Sequence, residues 1–266
     1  MQKTKNKDLV QSVIKSAAIL ELLSLKGELG ISEMSAFLDL DRTTVSRMAG
    51  TLRHIGYLKQ NPDNHKYSVT LKLFEMGMSE IDRMGITRSA RPYIEDLSRQ
   101  TDETVSLGIL SGIYVLYIDT VHSPNPLKAG WETGMKIPLG SCSMGKTLLA
   151  FQRKNRREEL IRDISLSDAY SSFACSYDLL RKDLELIRNS GYAAASEGPA
   201  SDIYCMASPL LGFRGEAVAA LSITFPKYRY ADTPSEKDRL LSLLLVVSTA
   251  ISKELGFTGL ATAGPD

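Results

Sequence analysis

The sequence predicts an α+β protein in two parts: an N-terminal winged helix-turn-helix, then a domain with an antiparallel sheet flanked by helices. Three observations predict it. Residues 13–69 read helix, turn, helix, tight turn, helix, and then a short polar β-hairpin. Beyond Thr104 the texture changes to apolar runs joined by glycine-containing turns, as in hairpins. Strand-like and helix-like segments then alternate irregularly, which suits an antiparallel sheet with helices beside it.

The first helix is expected over about residues 11–26, with Val13, Ala17, Leu20, Leu23 and Ser24 tracking a buried stripe. Gly27 to Gly30 breaks it, and Ser32 is placed to cap a second helix that buries Ile31, Met34 and Leu38. Asp41 can cap the third helix, which stops at Gly56. Residues 57–60 and 66–69 read as two strands around the turn-rich Asn61-Pro62-Asp63-Asn64. Residues 71–100 read as helix interrupted near Gly85 and at Pro92. Leu71, Phe74 and Met78 form an apolar edge there that could pair with a second subunit. Strands are expected at 105–110, 113–118, 205–211 and 217–224. Helices are expected at 143–151, 156–163, 177–189 and 235–255.

Composition bounds the function. At 266 residues, with 43% hydrophobic and 24% charged residues, the chain has room for two ordinary globular domains. No apolar run approaches the ~18 residues of a membrane span. The basic residues 1–7 lead into no signal-peptide apolar core. Cys142, Cys175 and Cys205 match neither a zinc pattern nor a disulfide framework, so a reducing cytoplasm is the expected compartment. The net charge of +1 is uneven. Residues 1–70 hold ten Lys/Arg against seven Asp/Glu, giving +3, and the remainder holds 22 against 24, giving −2. That is mild support for phosphate contact by the first part.

The third helix carries the chemistry. Val45, Met48, Leu52 and Ile55 share one apolar face, while Arg42, Thr43, Thr44, Ser46, Arg47 and Arg53 occupy the other. Arginine matches the two acceptors of guanine, and threonine serves phosphates or the thymine methyl, so this face suits a DNA major groove. Arg42, Thr43, Thr44, Ser46 and Arg47 are the base- and phosphate-facing candidates. His65 and Lys66 sit at the wing, where backbone or minor-groove contact is expected. Arg53 and His54 are weaker candidates.

A second motif points elsewhere. Gly140-Ser141-Cys142-Ser143-Met144-Gly145-Lys146-Thr147 satisfies the phosphate-loop pattern G-x-x-x-x-G-K-[ST]. Chance alone produces such a hit in roughly one chain per hundred of this length. A true phosphate loop follows a buried apolar strand, but Lys136 and Pro138 interrupt the preceding residues. A nucleotide switch is therefore the weaker alternative. A small-molecule enzyme is another, but the sequence shows no Ser/His/Asp set and only His54, His65 and His122 as histidines. No catalytic residue, metal or cofactor is expected. The helix beginning near Ser143 still offers free backbone N–H groups to a carboxylate.

Taken together, these segments resemble the IclR family of bacterial transcription regulators over nearly the whole length. The resemblance rests on Thr43-Thr44-Val45-Ser46-Arg47, Gly56-Tyr57, the run from Lys66 to Gly77, and Pro138-Leu139 with Met144-Gly145-Lys146-Thr147-Leu148-Leu149-Ala150. It continues in Gly191-Tyr192-Ala193, Cys205-Met206-Ala207-Ser208-Pro209 and Leu221-Ser222-Ile223-Thr224. It implies a DNA-binding domain at 1–70, a linker at 71–100 and an effector-binding domain at 101–266. Such a protein acts as a homodimer or homotetramer on near-palindromic double-stranded operators, away from membranes, and binds a small carboxylate effector. Several segments look most like repressors of sugar-acid (ketodeoxygluconate-type) breakdown. By family position, Ser143 and Met144 would touch the effector, with Cys205, Ser222 and Thr224 completing the pocket and Ile137 adding apolar wall. Ser222 and Thr224 alternate along a strand and so face one side. The chain departs from several relatives at Ala195, where they carry aspartate, and at Tyr204, where arginine is common. Its acidic region is reduced to Glu197.

Overall fold

The computed structural model describes residues 9–127, 129–167, 177–196 and 202–259. Residues 1–8, Cys175 and Glu197 lie outside them, as does the side chain of Met78. The chain divides into two compact units, Met1–Arg83 and Met84–Asp266.

The first unit comprises α1 (Gln11–Lys26), α2 (Ile31–Leu38), α3 (Arg42–His54), the hairpin β1 (Leu58–Gln60) and β2 (Tyr67–Val69), and most of α4 (Lys72–Met84). Its core joins Ile19 and Leu23 of α1, Met34 of α2, Val45, Met48, Ala49 and Leu52 of α3, and Leu58 and Tyr67 of the hairpin. The α1 stripe differs from expectation. Ile19 and Leu23 are buried while Val13 is 65% exposed, and the core of this unit takes its α1 residues from the second half of the helix. Ser32 is not the cap of α2. Gly30 holds that position, and its N–H donates to Glu33 Oε2 at 2.7 Å. Asp41 does cap α3, its Oδ1 accepting the Thr44 N–H at 2.7 Å. Ile55 falls beyond the helix end and is exposed, so it leaves the apolar face.

The second unit is a six-stranded antiparallel sheet, ordered β5 (Lys136–Pro138), β4 (Tyr114–Val121), β3 (Thr104–Ser111), β8 (Ala217–Pro226), β7 (Ile203–Leu211), β6 (Ala193–Ser196). The short edge strands β5 and β6 were not legible as strands: three and four residues give too little alternation to read. One face packs against α5 (Ile86–Thr101) and α9 (Pro234–Glu254). There Ser208 Oγ meets Ser248 Oγ at 2.8 Å, and Arg91 reaches Asp119 at 2.6 Å. The other face packs against α6 (Ser143–Ala150), with α7 (Lys154–Ser165) and α8 (Tyr177–Ser190) completing the layer. Pro92 does not interrupt α5: Ile86, Ala90, Ile94 and Leu97 stay buried along one continuous face. Pro209 is tolerated in β7 because β6 has already ended beside it, so no ladder bond is lost there.

Candidate functional sites

On α3, Arg42, Thr43, Ser46 and Arg47 are exposed and Thr44 is half-buried. The Asp41 cap orients the first turn. Hydrogen bonds from the Thr44 side chain and backbone hold the Asp41 carboxyl below the usual aspartate range. Among the described residues, the guanidinium groups of Arg42 and Arg47 have no hydrogen-bond or ion-pair partner. Several other cations of the unit are engaged. Arg53 donates to Gln60 Oε1 at 2.6 Å; Lys72 Nζ donates to the Ile55 carbonyl at 2.7 Å and lies over the Tyr57 ring. Lys66, at the wing, is engaged as well. It pairs with Glu33 at 3.1 Å, and that pair together with the Gly30 N–H lowers the Glu33 carboxyl. His65 is exposed in the left-handed region, at φ 57°, where the chain turns into β2.

The phosphate-loop motif has no phosphate cradle. Its preceding strand, β5, is a three-residue edge strand, and a 3-10 turn (Leu139–Ser141) separates it from α6. Cys142 Sγ caps α6, accepting the Gly145 N–H at 3.3 Å. Lys146 Nζ is held by Asp183 of α8 at 2.6 Å. A Cβ at Gly145 would sit 2.2 Å from the Leu139 carbonyl oxygen, so the glycine serves close packing of turn on helix.

The six residues assigned by family position to a ligand pocket separate into two groups. Cys205, Ser222 and Thr224 lie on one sheet face, with Cys205 directly opposite Thr224 and Ala207 opposite Ser222. Ser143 of α6 joins them, its hydroxyl donating to the Cys205 carbonyl at 3.3 Å. Met144 instead belongs to the packed core, its sulfur against Gly108, and Ile137 flanks that core from β5. A cleft of about 470 Å³ opens beside α6, lined by Ser141–Ser143, Lys146, Asp183, Leu186, Ile187, Ser190, Tyr192, Ala193–Ala195 and Tyr204. Of the six, only Ser143 lines it. His122, which the sequence left without a partner, meets Glu132 at 3.0 Å.

Sequence reasoning missed half of the polar sheet face. Register pairs place Thr104 opposite Thr224, and Ser106 opposite both Ser222 and Thr120. The result is a band of short hydroxyls across β4, β3 and β8, all buried except Thr120, which is half-buried. The Thr104-x-Ser106 alternation was the available signal, but it acquires meaning only when paired with Ser222-x-Thr224 on another strand. Ser222 Oγ is buried without a hydrogen-bond partner. Leaving such a hydroxyl unpaired costs on the order of 1–3 kcal/mol, which an incoming ligand can recover.

Comparison with known proteins identifies the family of each unit. Residues 12–62 match the IclR helix-turn-helix domain, and residues 78–253 match the bacterial transcriptional regulator IclR C-terminal domain. The HTH-type transcriptional regulator KdgR of Escherichia coli (strain K12) is 32% identical over 256 residues, covering 95% of each chain. The crystal structure of the Thermotoga maritima IclR superposes with a TM-score of 0.73 at 26% identity, covering 92% of this chain and 99% of that one. An IclR homolog from Microbacterium hydrocarbonoxydans, complexed with 4-hydroxybenzoate, shares the fold at a TM-score of 0.76 and 19% identity, covering 92% and 98% of the two chains. With a C-terminal family match spanning most of the chain and a helix-turn-helix match before it, this protein belongs to the IclR family of bacterial DNA-binding transcriptional regulators.

Proposed function

We propose that the protein is a homo-oligomeric repressor of a catabolic operon, with sugar-acid breakdown as the favoured pathway class. A small carboxylate effector bound in the second unit governs its hold on operator DNA. The observation that carries the DNA reading is the outward face of α3: two guanidinium groups without a hydrogen-bond or ion-pair partner among the described residues, beside exposed Thr43 and Ser46. Arg42 and Arg47 read base edges or phosphates, Thr43, Thr44 and Ser46 fix the helix on the backbone, and His65 lies at the wing. Lys66 contributes only after releasing Glu33, so its share is smaller.

Ser143, Cys205, Ser222 and Thr224 hold the effector, the N-terminal amides of α6 favouring its negative charge. Ile137 and Met144 shape the apolar surroundings. The 4-hydroxybenzoate carried by the Microbacterium homolog supports a carboxylate as the ligand class. The relationship to KdgR supports the pathway class. Exposed Leu9, Val10, Val13 and Ile14 at the start of α1, with Leu71, Phe74 and Met76 at the start of α4, form apolar surface suited to a second copy. A two-fold dimer then meets a near-palindromic operator with one α3 per half-site. An effector can release the protein only if it binds the DNA-competent arrangement less tightly than the other.

The test is selection of operator fragments from genomic DNA by the purified protein, repeated with a panel of sugar acids and keto acids. Enrichment of one promoter, lost on adding one acid, is expected. Equal retention of promoter and random fragments at low salt would overturn the reading.

A further inference from the structure

We infer that Trp131 is an effector-contacting residue, donating its indole N–H to the same ligand that Ser222 holds. The ligand is thereby an acid with a second oxygen acceptor, a keto or hydroxy acid longer than two carbons. This inference rests on the reading that the effector occupies the hydroxyl-bearing sheet face.

Trp131 is the single tryptophan of the chain and lies between β4 and β5. Two contacts set its segment over the hydroxyl band. A Cβ at Gly130, where φ is +140°, would come within 2.6 Å of Thr104 Cγ2, so the backbone lies directly on that side chain. The Trp131 carbonyl accepts a hydrogen bond from Thr120 Oγ1 at 3.1 Å, and Thr120 Oγ1 is 3.2 Å from Ser106 Oγ. The Trp131 ring packs beside Tyr117, their centroids 6.5 Å apart.

Proton bookkeeping along this row is informative. A threonine hydroxyl has one hydrogen. Thr120 is the donor toward both the Trp131 carbonyl and Ser106 Oγ, so its one hydrogen is shared between them and none is left for a ligand. Ser222, the next residue along the band, has no partner for its own hydrogen. Trp131 Nε1 is likewise buried without a partner, and an indole nitrogen can only donate. Buried donors are nearly always satisfied, so two unsatisfied donors, one on this row and one on the segment that crosses it, mark groups awaiting acceptors. Thr104, Ser106, Thr120, Cys205, Ser222 and Thr224 carry no formal charge. The ligand's oxygens are therefore met by neutral donors. From β4 across β3 to β8 is two strand spacings, about 10 Å. A two-carbon acid is too short to reach both ends, whereas a chain with oxygens at each end does so.

The experiment uses the full-length protein and four probes: pyruvate, gluconate, 2-ketogluconate and 4-hydroxybenzoate. Binding is measured by calorimetry, and for wild type also by tryptophan fluorescence, whose signal comes from Trp131 alone. The variant Trp131→Phe keeps a ring against Tyr117 and removes the N–H; Ser222→Ala removes the other donor. The expected result is that a polyhydroxy or keto acid binds with a shift in Trp131 emission, and that each variant weakens it about tenfold. The pyruvate affinity should be the weakest of the four, because its oxygens span the shortest distance. A cooperative melt of each variant confirms folding. If Ser222→Ala weakens binding while Trp131→Phe does not and emission stays fixed, the role of Trp131 is overturned and the effector face survives. If an acid binds but neither variant weakens it, both fall. If no probe binds wild type, the carboxylate reading fails and this inference with it.

Discussion

The outer face of α3 and the inner face of the sheet use polar side chains in opposite ways. On α3, Arg42, Thr43, Ser46 and Arg47 stand in solvent, and the helix is folded by its other side through Val45, Met48, Ala49 and Leu52. On the sheet, Thr104, Ser106, Ser222 and Thr224 are buried under other elements and sit within the packing itself. Exposed groups carry no folding cost and wait for a large, charged partner that docks on a surface. Buried hydroxyls cost stability until something small enters and completes them. One region can thus be altered without consequence for folding, and the other cannot.

The largest expected effect breaks the second region outright. Gly145→Val directs a side chain at the Leu139 backbone 2.2 Å away, with no flexible neighbour to yield. A loss of about 3 kcal/mol or more is expected in denaturant unfolding of the second unit. A loss below about 1 kcal/mol would show that the turn can move off α6. Next comes Arg229→Ala. Arg229 pairs with the fully buried Glu103 and donates to the Leu127 carbonyl at 2.5 Å. Removing it leaves the Glu103 charge buried with the Tyr230 hydroxyl but no cation beside it. The expected cost is about 2 kcal/mol, below the range for fully buried pairs because Arg229 itself keeps some solvent contact. Burial already raises the Glu103 carboxyl, Arg229 opposing it, so the variant should be least stable relative to wild type near neutral pH and recover toward acid, where Glu103 is protonated. A pH-independent difference in unfolding midpoint would contradict this.

Arg47→Ala sharpens the comparison from the other side. Operator affinity should fall by about tenfold or more, with the salt dependence of binding reduced by about one charge if Arg47 meets a phosphate. The thermal midpoint should not move, because the side chain is exposed and has no hydrogen-bond or ion-pair partner among the described residues. A variant that melts earlier yet binds as wild type would reverse the assignment of α3 as a reading surface.

The same contrast explains what was legible in the sequence. The α3 site is local: the Asp41 cap, the apolar spacing and the polar face all lie within fourteen residues, so periodicity alone recovers it. The pairing of Lys66 with Glu33 was not legible, because Glu33 lies on α2 and only folding brings them together. The sheet face is assembled from β4, β3, β8 and β7, whose register no single strand encodes. Family position supplied Ser222 and Thr224 but not Ser106, Thr120 or Trp131, which are joined to them only by strand pairing and by the segment crossing over Thr104. Met144 was assigned to the pocket from its place at the start of α6, and its packing against Gly108 in the core cluster was not legible from that position.

The smallest effect tests whether the α3 surface is held by its cap rather than by burial. The Asp41 carboxylate accepts the Thr44 N–H at the helix N-terminus, which lowers its folded-state pKa. For a depressed carboxyl, the stabilisation is fully present above the unfolded value of about 3.9 and is lost as pH falls through the folded value. Asp41→Asn keeps an oxygen acceptor for the amide and removes the charge, so the cap persists without its titration. The wild-type melting temperature should therefore drop more steeply than that of the variant below about pH 4, while the two converge in slope near neutrality. Glu33, lowered by Gly30 and Lys66, adds a component of the same sign to both proteins and cancels in the difference. If the two acid limbs run parallel, the cap does not anchor α3. The unchanged midpoint expected for Arg47→Ala would then need the apolar face of α3 alone to hold the helix.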